Sequence, residues 1–117
     1  SRDPGAQEVI RQQHLRTIEI LADLLNRLQS TPEGDGTLLD YTLIVYCSQI
    51  ADGSHALTSL PWFTVGHCQG AINTGRWLQS GDRRGHGALY RSVARALDLN
   101  LDDFGDDGSD LIPGLLT

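Results

Sequence analysis

The chain has 117 residues and is 39% hydrophobic, enough for about one small domain with a modest core. Its net charge of −6 argues against a nucleic-acid or anionic-membrane partner. No apolar run reaches the ~18 residues of a membrane-spanning helix, and no basic-then-apolar leader opens the chain.

There is no Met at all, so the sequence reads as a processed product or a piece of something longer. Asp3-Pro4 is a helix start: Asp can cap, and Pro fits the first turn. Ile10, Ile18, Leu21, Leu25 and Leu28, with Leu24 beside them, recur at helical spacing, which predicts a helix over about 4–30. His14 lies on that stripe and is expected to be a hydrogen-bonded core histidine. Pro32, Gly34 and Gly36 stop the helix.

A short apolar, β-branched run predicts a strand over about 41–47, of the kind often buried in parallel sheets. The stretch 50–59 is polar and loop-like. Trp62-Phe63-Thr64-Val65 predicts a second strand over about 62–66, and 72–78 a short strand or hairpin arm. A second helix is expected over about 87–97, with Leu89, Val93, Ala96 and Leu97 on one face and Arg91 and Arg95 on another. The tail 98–117 holds six of the fifteen acids and reads as irregular. The fold expectation is α/β: a small, mostly parallel sheet of two to three strands flanked by two helices. It would form a single domain or the C-terminal segment of a larger α/β domain. So few strands leave unpaired edges, which invite another chain.

The chemical groups are sparse. Cys47 and Cys68 allow one disulfide or none; two buried thiols are the expected state, with Cys47 inert. No CxxC or paired Cys/His spacing of a structural zinc site is present. His55 follows Asp52-Gly53-Ser54 after a strand, where open α/β sheets place sites. It reads as a metal ligand or acid-base group, or as a surface loop histidine. His86, between Gly85 and Gly87, reads as a ligand or as a helix-entry residue. Asp52, His55 and His86 are the candidate ligands for a divalent metal such as zinc or copper.

His67 precedes Cys68, but neighbouring strand residues face opposite ways. The acids Asp102, Asp103, Asp106, Asp107 and Asp110 lack the spacing and final Glu of a calcium loop and read as a solvated turn. Glu33-Gly34-Asp35-Gly36 reads likewise as a turn. No Gly-x-Ser-x-Gly elbow is present, and no base can be assigned to Ser48. The segment Gly81-Asp82-Arg83-Arg84-Gly85 lacks the pattern of a phosphate loop. Arg76, Arg83 and Arg84 could hold an anion or simply face solvent.

One stretch is specific. Thr31 through Asp40, with Asp3-Pro4, Leu24 through Leu28, Leu43 through Tyr46, Ser48, Asp52-Gly53, Leu60-Pro61, Thr74-Gly75-Arg76 and Phe104-Gly105-Asp106, resembles the HxxSHH family of exported bacterial proteins of unknown function (domain-of-unknown-function family fifteen-fifty-two). The resemblance covers nearly the whole chain and implies its C-terminal part, hence an exported, periplasmic or extracellular location. The family's His-rich signature would lie upstream of Ser1. Of the histidines usual after Asp-Gly only His55 is kept, in a loop about one residue shorter.

The family is distantly similar to the alkaline-phosphatase and sulfatase superfamily, in which a strand ends in a metal-binding acid-His pair. Here the strand ends in Ser48-Gln49-Ile50, and Gln is a poor substitute for a carboxylate ligand. Three functions follow as expectations. The first is a non-catalytic segment that associates with itself or with an upstream part. The second is a metal-dependent phosphate or sulfate ester hydrolase using His55, His86 and Asp52. The third is a small redox-metal protein.

Overall fold

The structure, a computed structural model, describes residues 3–50, 53–56, 60–78, 86–105 and 110–117. Along the chain run α1 (Pro4–Ser30), β1 (Pro32–Glu33), β2 (Gly36–Thr37), β3 (Ile44–Cys47), β4 (Trp62–Val65) and α2 (His86–Ala96). They form two compact units. The first comprises Ser1–Leu39 and Val45–Phe63; the second comprises Asp40–Ile44 and Thr64–Thr117.

In the first unit, α1 starts where its caps dictate. Asp3 is extended, and its carboxylate accepts the Gly5 N–H at 2.9 Å. Pro4, the first helical residue, has no N–H to satisfy. The polar face carries ion pairs one turn apart: Glu8–Arg11 at 2.7 Å, Arg16–Glu19 at 3.2 Å and Asp23–Arg27 at 3.0 Å. Pairs spaced this way favour the helix, but all three are exposed and screened by salt, so the gain is small. At the other end, Ser30 and Thr31 donate their hydroxyls to the Asn26 and Arg27 carbonyls. Pro32 pushes Thr31 into extended backbone and ends the helix.

A tight hairpin follows. β1 and β2 are antiparallel, with Pro32 opposite Thr37 and Glu33 opposite Gly36. Gly34 makes the turn at φ 56°, a conformation that glycine adopts without penalty. Leu38 N–H then reaches back to the Thr31 carbonyl at 2.9 Å, and β2 lies beside α1. Against this cover Leu21, Leu25 and Leu28 are only half-buried, and α1 has no buried residue. Tyr46 and Phe63 stack in the same unit, their centroids 4.7 Å apart.

β3 pairs with β4, and the pairing is antiparallel, so the expectation of a mostly parallel sheet is corrected. A parallel pair needs a crossover, usually a helix. Residues 48–61 supply none among those described, so a simple return loop suffices. Coverage differs too: β3 is half-buried at Ile44, Val45 and Tyr46 and exposed at Cys47, rather than covered on both faces. With β1 and β2, this makes two small two-stranded ribbons and two helices among the described residues.

The second unit holds the closest packing. Cys68, Ile72 and Leu115 form its buried centre, with Leu43, Ala71, Leu89, Ala96, Ile112 and Leu116 packed around them. A turn of three left-handed residues, Cys68, Gln69 and Gly70, delivers Ile72 to this core. Their N–H groups are taken by Thr42, Asp40 and His67 carbonyls at 3.3, 2.8 and 2.9 Å, which offsets the strain at the two non-glycine positions. The segment 72–78 is no hairpin arm; it makes one antiparallel bridge, Ile72 to Leu116.

The tail is irregular, yet its last residues are structural. Asn73 holds them: its side-chain amide donates to the Leu116 carbonyl at 2.7 Å, and its N–H to Leu115 at 2.8 Å. On α2 the buried row is Ala88 and Ser92, with half-buried Ala96 one turn on. Leu97, expected on one face with Leu89, Val93 and Ala96, is 54% exposed. Small side chains let the tail approach the helix. Ser92 is fully buried; its hydroxyl donates to the Ala88 carbonyl and accepts the Ile112 N–H, both at 2.8 Å.

Truncating this centre has a defined cost. Leu115→Ala is expected to lower stability by about 2–5 kcal/mol through lost burial and a cavity. Ser92→Ala, which strands the Ile112 N–H, is expected to cost about 1–3 kcal/mol. Urea unfolding followed by circular dichroism checks both. Midpoints unchanged from the parent would show that the tail is not part of the folded core.

Candidate functional site

The histidines singled out by sequence fall in different units. His55 lies in the first unit, exposed, in left-handed backbone at φ 63°. His86 lies in the second unit, exposed, as the first residue of α2. Asp52, the third candidate ligand, is outside the described residues, as are Arg83, Arg84, Gly85, Asp106 and Asp107. Among the described residues no three His, Cys, Asp or Glu side chains gather as a metal centre would require.

The remaining histidines are accounted for by their surroundings. His14 is exposed on α1, not a core residue, because nothing in its unit covers that part of the helix. His67 is exposed beside buried Cys68, and its carbonyl closes the turn by accepting the Gly70 and Ile72 N–H groups.

Both cysteines are free thiols. Cys68 is 7% exposed and its Sγ donates to the Ala96 carbonyl at 3.5 Å. Cys47 is exposed, which corrects the expectation of a buried, inert thiol. It ends β3, where the ribbon runs out of cover. A thiol reagent is therefore expected to titrate one group per native chain, Cys47, and a second only in denaturant. Equal, rapid reaction of both thiols in the native protein would contradict this placement.

Charge on the described surface is mostly used locally. Arg91 Nε donates to the Leu101 carbonyl at 2.8 Å, and Arg95 binds the Asn100 side chain, so α2 spends both arginines on the loop that follows it. Arg76 is exposed. Glu8 has its carboxyl held below its ordinary value, first by hydrogen bonding to Arg11 and then to Gln12. A lowered folded value means the stabilisation is present above the unfolded value and lost as pH falls through the folded one. The pair is fully exposed, so its contribution is small and screened by salt. An NMR titration is expected to move the Glu8 midpoint upward in Arg11→Ala; an unmoved midpoint would show the pair is not formed in solution.

What the structure does gather, unforeseen in the sequence, is apolar surface on α1. Val9, Ile10, Leu15, Ile18, Ile20 and Leu24 are 44–58% exposed. Of the stripe legible in the spacing, Ile10, Ile18 and Leu24 stay exposed while Leu21, Leu25 and Leu28 are half-buried; Val9, Leu15 and Ile20 lie outside it. No helix of the described residues is long and apolar enough to cross a membrane, so the stripe is not a membrane span.

Comparison with protein-family models, curated proteins and solved structures finds no match to this chain.

Proposed function

We propose that this chain is a non-catalytic assembly segment that associates with a second copy of itself through the apolar face of α1. It is read as the C-terminal part of an HxxSHH-like exported protein, acting outside the cytoplasm. The resemblance carried by Thr31 through Asp40 supports the family reading. The observation that carries the assembly reading is a 27-residue helix with no buried residue and six large, half-exposed apolar side chains.

Magnitudes favour association over an idle surface. Fully burying a Val, Leu or Ile side chain yields roughly 1.5–3 kcal/mol. Of the six, Ile10, Ile18 and Leu24 share the helix face of half-buried Leu21, Leu25 and Leu28; these three are about half-covered already, so roughly 2–5 kcal/mol per helix remains to be gained. Association costs about 4–15 kcal/mol before any contact is counted. The two are of one order, so the association is reversible and depends on concentration, with a Kd on the order of micromolar or weaker.

Sedimentation velocity over a wide concentration range tests the proposal. The parent is expected to rise from 12.8 kDa toward at least twice that mass. Ile10→Glu with Ile18→Glu, both at exposed positions, is expected to hold the chain monomeric while leaving its folded circular dichroism spectrum in place. A parent monomeric throughout, or a double variant that associates like the parent, would overturn it.

A further inference from the structure

We draw no further inference here: the strongest candidate, the exposed apolar patch of Tyr90, Leu97, Leu99, Leu101 and Phe104 at the C-terminal end of α2, carries nothing because nothing in the structure shows what covers it.

Discussion

An amphipathic helix gains most of its stability by burying one face, and α1 has too little to bury it against. Isolated helices in water are marginal, and tertiary packing normally supplies the difference. Around α1 the first unit offers a four-residue hairpin core and half-covers Leu21, Leu25 and Leu28. The caps at Asp3 and Thr31 and the three exposed, salt-screened ion pairs help but do not replace a buried face. Ile10 and Ile18, the upstream residues of the stripe, are left at half exposure. That deficit is the physical reason to look for a partner.

The second unit solves the same problem differently. Its core is small, but the tail folds back and closes it. Leu115 fills the centre, Asn73 holds the backbone of the last residues, and the Ser92 hydroxyl ties Ile112 to α2. Ala88 and Ser92 are small, so the tail can approach α2 closely. A polar group sits at the most buried position among the described residues because both its donor and its acceptor capacity are used.

Local signals in the sequence translate well into local structure. Asp3-Pro4 and Pro32 mark the two ends of α1, since capping and the missing proline donor act on the nearest residues alone. The strand over Ile44–Cys47 shows in its β-branched run. Strand direction does not show there, because an apolar run looks the same in a parallel or an antiparallel pair. Nor does the tail's place in the core: Leu111, Ile112, Leu115 and Leu116 are separated by Pro113 and Gly114 and follow no period. Cys47 and His14 sit in apolar surroundings in sequence yet reach solvent, because burial depends on what packs from elsewhere. The candidate ligands His55 and His86 were chosen for residue type and neighbouring glycines, with no spacing that obliges them to meet.

The central claim is that a partner copy covers α1, and amide hydrogen exchange of α1 measured across a concentration series tests it most directly. The account predicts that amides between Val9 and Leu24 become more protected as the chain is concentrated, while those of α2 stay unchanged. Protection of α1 that is independent of concentration, in step with α2, would contradict it.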